Sequence, residues 1–249
     1  IVKNLFVKRT LISLSAEMNE LAFDESKEVP DILDRAEQEI FALSHSHANK
    51  GFIVLREALA SSFERLDELQ RNSDEIRGVP TGYVDLDRVT AGFQKSNLII
   101  LAARPGTGKT ALALNVAMHA SVHHKKKVAF FSLEMSKEEL VDRLLVSQAD
   151  IDAWKLKTGR LNDQDFLKIS DAMGVLAEAP IFIDDTPGVS ILEIRTKARR
   201  LASDQGLDMI IVDYLQLAQG RTKDNRVQEV AEISQGLKNL ARELRVPVL

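Results

Sequence analysis

A short apolar run, Asn97–Ala102, leads into Ala103-Arg104-Pro105-Gly106-Thr107-Gly108-Lys109-Thr110, and a helical pattern starts directly behind it. A strand that turns on glycines into a helix gathers backbone N–H groups and the positive end of a helix dipole at one point, a ready cradle for phosphate. Gly106 and Gly108 let the backbone wrap an anion with no Cβ in the way. Lys109 supplies a point charge for the β- and γ-phosphates, and the Thr110 hydroxyl suits Mg²⁺. The expected cofactors are ATP and Mg²⁺, held by Gly106, Thr107, Gly108, Lys109 and Thr110. The pattern G-x-x-x-x-G-K-[ST] asks for glycine where this chain has Ala103; the Gly-Thr-Gly-Lys-Thr core is intact.

From about residue 78, short apolar runs alternate with helical segments: Asn97–Ala102, Val128–Leu133, Ile181–Ile183 and Met209–Val212. Such runs predict parallel strands buried on both faces, hence a doubly wound α/β domain over 78–249. Ser136–Glu139 and Ser190–Glu193 fit capping boxes, and Gly206 fits a helix stop. Val230, Ile233, Leu237, Leu240 and Leu244 mark one face of a last helix, after which Val246–Leu249 begins what reads as another strand. That strand breaks off at once, so the domain reads as incomplete there.

Upstream, Val7, Leu11, Leu14, Met18 and Leu21 recur at helical spacing, and Pro30 opens a second stripe of Ile32, Ala36, Ile40 and Leu43. Residues 1–50 are therefore expected to form a helical hairpin ending in a polar loop at 45–51. A third helix, within 51–77, carries Leu55, Leu59, Phe63, Leu66 and Leu69. Its stripe must bury against this chain's own core or against a neighbouring subunit.

The 249 residues include no cysteine, which excludes disulfides and cysteine metal sites. The adjacent His123 and His124 show no metal-ligand spacing with carboxylates. No apolar run approaches the roughly 20 residues a bilayer span needs, and the start lacks a signal peptide's core, so the expectation is a cytoplasmic protein off the membrane. A net charge of −4 argues against a surface that coats DNA, leaving only local basic groups for that purpose. Lys125–Lys127 precedes a strand and reads as a solvated turn.

Two acids compete to hold Mg²⁺. Asp213 ends the run Ile210–Val212, and Asp184 ends Ile181–Ile183; sequence order does not say which strand neighbours the phosphate loop. Glu134 ends the strand Val128–Leu133 at the edge where nucleotides bind in such folds, and could orient the attacking water or merely complement a helix dipole. Arg143 on the next helix reads as a surface arginine. Gln219–Arg226, with Arg221, Lys223 and Arg226, is either a DNA-phosphate loop or a solvated connector.

Several of these segments together resemble one family. Gly78-Val79-Pro80-Thr81-Gly82, Leu86-Asp87, Gly92-Phe93, the phosphate loop, Phe131–Met135, Ile183–Pro187 and Asp213–Leu217 are similar, in order, to the replicative DNA helicases of the DnaB family. The resemblance implies a RecA-like P-loop domain with a parallel sheet flanked by helices, preceded by a helical hairpin and linker helix. It implies Asp213 rather than Asp184 as the Mg²⁺ acid, Glu134 as the catalytic carboxylate and Arg143 as a nucleotide contact. It further implies a homohexameric ring on single-stranded DNA, with primase and a helicase loader as partners, and a linker stripe docked on the adjacent subunit. The family commonly has serine at the place of Gly106. Its later elements, including the main DNA loop and a trans-acting arginine, lie past Leu249, so a polypeptide ending there is expected to lack full helicase activity. Competing readings are a RecA-type recombinase, a RecA-fold ATPase without unwinding activity, and a non-enzymatic scaffold. DNA-stimulated turnover separates them.

Overall fold

The structure, a computed structural model, describes residues 2–24, 32, 35–36, 55–56, 59, 63, 76–104, 106–214 and 226–249, without the side chains of residues 2–7 and 226. The chain divides into two units, Ile1–Asp74 and Glu75–Leu249. In the first, helix α1 spans Val2–Phe23. Leu14 on its stripe is buried, Met18 and Leu21 are half-buried, and Leu11 is exposed. Arg35 reaches Glu17 at 3.4 Å. Leu55, Leu59 and Phe63 are helical, and all three side chains are exposed. Ile40, Leu43, Leu66, Leu69 and the 45–51 loop lie outside the described residues.

The second unit runs α2 (Val84–Thr90), α3 (Lys109–His124), β1 (Val128–Ser132), α4 (Lys137–Ala149), α5 (Ala153–Thr158), α6 (Asp163–Ala177), β2 (Ile181–Asp184), α7 (Ile191–Asp204), β3 (Met209–Asp213) and α8 (Arg226–Leu244). The α/β fold expected from the alternation is the one observed. Its strands are parallel in the order β2-β1-β3. Val248 extends the sheet, bridging Ile210 on one side and Leu98 on the other. The strip 246–249 therefore lies between β3 and the segment that leads into the phosphate loop. Its main chain bonds both ways, with Ile210 N–H donating to Pro247 O at 3.0 Å and Ile99 N–H to Val248 O at 2.8 Å.

Alternation along the strands sorts the core into two layers. Val128 and Phe130 of β1 and Met209 and Ile211 of β3 pack with α3 and α4 residues such as Val116, Ala117 and Leu140. Ala129, Phe131 and Ile210 pack on the opposite face with Ile194 and Ala198 of α7 and Ile233, Leu237 and Leu240 of α8. Full burial of each large aliphatic side chain contributes about 1.5–3 kcal/mol, so α7 and α8 are held mainly by these stripes. Ser190 makes both arms of a capping box, whereas Ser136 makes the arm from Glu139 N–H at 3.3 Å. Gly206, at φ 83°, follows the C-cap of α7 as expected.

Two expectations need correction. The run Asn97–Ala102 is ladder-paired only at its start, because the Leu98↔Val248 register offers no partner past Leu249. Ile100 is consequently 64% exposed rather than buried. β2 is half-buried along its length because it has a strand neighbour on one side only, β1.

Candidate active site

Gly108 caps α3 at φ 96°, and Gly106 sits at φ 77°. A Cβ at either position would meet nothing within 4 Å, so glycine is required by backbone conformation, not by space. The Thr107 hydroxyl donates to Arg104 O at 2.7 Å and closes the loop on itself. This leaves the loop's open side for an anion.

Lys109 and Thr110 are the first two residues of α3, and both meet Asp213 at the end of β3. Lys109 Nζ lies 2.7 Å from Asp213 Oδ1, and the Thr110 hydroxyl donates to Oδ2 at 2.5 Å. The Lys109 ammonium also lies 4.0 Å from the centre of the Tyr214 ring, a cation–π contact. The Asp213 side chain is only 6% exposed, and a carboxylate that far from water requires such partners. Alternation explains why this acid meets the loop: Asp213 shares its face of β3 with Met209 and Ile211, the face covered by α3. The hydroxyl and carboxylate form a hard oxygen pair that fits Mg²⁺. The open space before Gly106 and Gly108 fits a phosphate.

Asp184 faces the other way. Lys197 on α7 pairs with it at 2.6 Å, and the Thr186 N–H and hydroxyl donate to it at 3.0 and 2.6 Å. Burial pushes its carboxyl up, but the bonds from Lys197 and Thr186, with the Lys197 charge, hold it below the ordinary value. A depressed carboxyl stabilises the fold above its unfolded pKa, near 4, and loses that contribution as pH falls through the folded value. Asp184→Asn should therefore lower stability at pH 7 by about 0.5–1 kcal/mol, discounted for the exposed lysine. Denaturant midpoints for the two proteins should converge below about pH 4; a gap that persists there would refute the ion-pair account.

Glu134 occupies the turn after β1. Ser132 stands opposite Asp213 in the ladder, and Leu133 N–H donates to Asp213 O at 2.7 Å. Glu134 thus projects from the same sheet edge, one strand over, with an exposed side chain. Among the described residues its carboxylate has no hydrogen-bond or ion-pair partner. Arg143 lies on the exposed side of α4, between the buried Leu140 and Leu144. Arg221 and Lys223 lie outside the described residues, and Arg226 enters only as the first residue of α8.

The sequence reading assigned no role to Tyr214 or Ser132. Their signals were adjacency to Asp213 and to the Glu134 turn, visible only once the strand order is known. The histidines gather loosely, with the His119 ring centre 4.9 Å from that of His123 and 5.2 Å from that of His124. Among the described residues no group of three His, Cys, Asp or Glu is placed to hold a metal ion, and no helix is long and apolar enough to cross a membrane.

A model of the DnaB-like helicase C-terminal domain matches residues 78–249. The replicative DNA helicase DnaC of Bacillus subtilis strain 168 is 45% identical over 251 aligned positions, which cover 100% of this chain and 55% of the relative. The solved structure of a DnaB-like replicative helicase, described with its interactions with primase, matches at 33% identity and a TM-score of 0.81, covering 99% of this chain and 57% of that one. A second solved structure, that of an isolated ATPase domain, matches at 36% identity and a TM-score of 0.73, over 80% of this chain and 70% of that one. The chain thus spans little more than half of its Bacillus relative.

Proposed function

Because this chain belongs to the DnaB-like helicase family, we propose that it is the nucleotide-hydrolysing part of an ATP-dependent replicative DNA helicase. The observation that carries the reading is the convergence of Lys109, Thr110 and Asp213 beside an open glycine loop. In this reading the loop amides of Gly106, Thr107 and Gly108 and the Lys109 ammonium bind and orient the phosphates of ATP. Thr110 offers its hydroxyl to Mg²⁺, and Asp213 orients that hydroxyl and contributes negative charge beside it. When bound, Mg²⁺ bridges phosphate oxygens and neutralises charge that develops between them. Glu134, unpaired and at the same edge, accepts a proton from the attacking water and holds it in line. Arg143 reaches the nucleotide from α4.

Family membership supports a homohexamer that moves on single-stranded DNA in the cytoplasm, with primase and a helicase loader as partners. The exposed Leu55, Leu59 and Phe63 suit a stripe that docks on an adjacent subunit, since such side chains gain most by leaving water. The residues proposed to grip DNA are Arg221, Lys223 and Arg226. The deciding experiment is steady-state ATP turnover of the intact protein with and without single-stranded DNA. We expect stimulation that weakens as salt rises, as phosphate contacts require. Turnover indifferent to DNA at every salt concentration would overturn the helicase reading and leave a RecA-fold ATPase of another role.

A further inference from the structure

β1 is buried throughout, and its last residue is a serine in an otherwise apolar strand. Ser132 is 2% exposed and so cannot rely on water to satisfy its hydroxyl. The hydroxyl turns forward along the chain. It donates to Met135 O at 2.6 Å and accepts from Met135 N–H at 3.2 Å. These two bonds pinch residues 132–135 into a closed turn with Glu134 inside it. Just beyond, Asp185 accepts from Lys137 N–H at 3.0 Å and pins the start of α4, so the turn's exit is also fixed. Behind it, Ser132 is in register with Asp213.

From this geometry we infer that Ser132 is a positioning residue, fixing the Glu134 carboxylate relative to the Asp213–Lys109–Thr110 cluster through one closed turn. The inference rests on the proposed role of Glu134 in activating water. Serine suits the place because a single atom both donates and accepts, which no apolar residue can do. Strand ladder, hydroxyl and turn form one connected path from the acid that serves Mg²⁺ to the base that serves water. An exposed glutamate without such a path would sample many rotamers, and catalysis is sensitive to displacements near 1 Å.

The test measures ATP hydrolysis by the intact protein under single-turnover conditions with γ-labelled ATP, so that slow residual rates stay measurable. Ser132→Ala should lower the hydrolysis rate about tenfold while the Kd for ADP stays within about twofold, the signature of an effect confined to the reacting state. Ser132→Thr, which keeps the hydroxyl, should restore most of the rate. In a Glu134→Gln background Ser132→Ala should add nothing, because the group it positions is gone. A normal rate for Ser132→Ala, or an equal further drop in the Glu134→Gln background, overturns the positioning role. A normal rate for Glu134→Gln alone instead overturns the assignment of Glu134.

Discussion

Glu134→Gln should cut ATP turnover by about 10²–10⁴-fold while leaving nucleotide affinity nearly intact. That range is what a positioned proton acceptor contributes. The expectation follows from the placement of Glu134: exposed, one strand over from Asp213, and without a partner among the described residues. Glutamine keeps the size and reach of the side chain but cannot take the proton. Because Glu134 bears on neither core cluster, folding should be unaffected. Steady-state kinetics beside an equilibrium ADP titration separates the alternatives. A large rise in Kd with little loss of rate would mean that Glu134 binds nucleotide and activates nothing.

Lys109→Ala should act the other way, on binding first. Loss of the ammonium removes the charge proposed to meet the phosphates and strips Asp213 of its 2.7 Å partner. Truncating one member of a desolvated charge pair costs about 2–5 kcal/mol, roughly 30- to several thousand-fold in affinity. Part of that cost falls on the protein itself, since a carboxylate only 6% exposed would keep the Thr110 hydroxyl and lose its counter-charge. The apparent melting temperature should therefore drop even without nucleotide. The double variant Lys109→Ala/Asp213→Asn should recover stability but not binding. If affinity for ATP and ADP survived in Lys109→Ala, the phosphate-binding role of the loop would have to be abandoned.

The contrast between Asp213 and Asp184 shows where legibility in the sequence stops. Both acids end apolar strands, and in strands buried on both faces the usual alternation of polar and apolar residues is erased. Nothing local tells which side the terminal carboxylate takes. The fold decides it: Asp213 falls on the α3 face, whereas Asp184 meets Lys197 of α7. The phosphate loop was legible because its chemistry is written in consecutive residues, and so were α7 and α8, through caps and a helical stripe. The segment Asn97–Ala102 was less so. Its apolarity reads as a central strand, but the ladder that would make it one reaches only Leu98 and Ile99. Ser132 and Tyr214 escaped for a related reason. Each matters through a neighbour on another strand or through a turn whose closure a sequence does not display.

The strip 246–249 carries a mechanical meaning. The phosphate loop and its acid sit on segments that share no rung of the ladder; both are stitched to Val248 and its neighbours. The alignment of Lys109 with Asp213 is thus inherited from a rung shared in the middle of the sheet, not from stiffness in the loop. A glycine loop can then stay supple enough to mould itself to a phosphate while the carboxylate opposite keeps its place. Tolerance for motion and precision of aim are assigned to different parts of the chain, and Val248 is the joint between them.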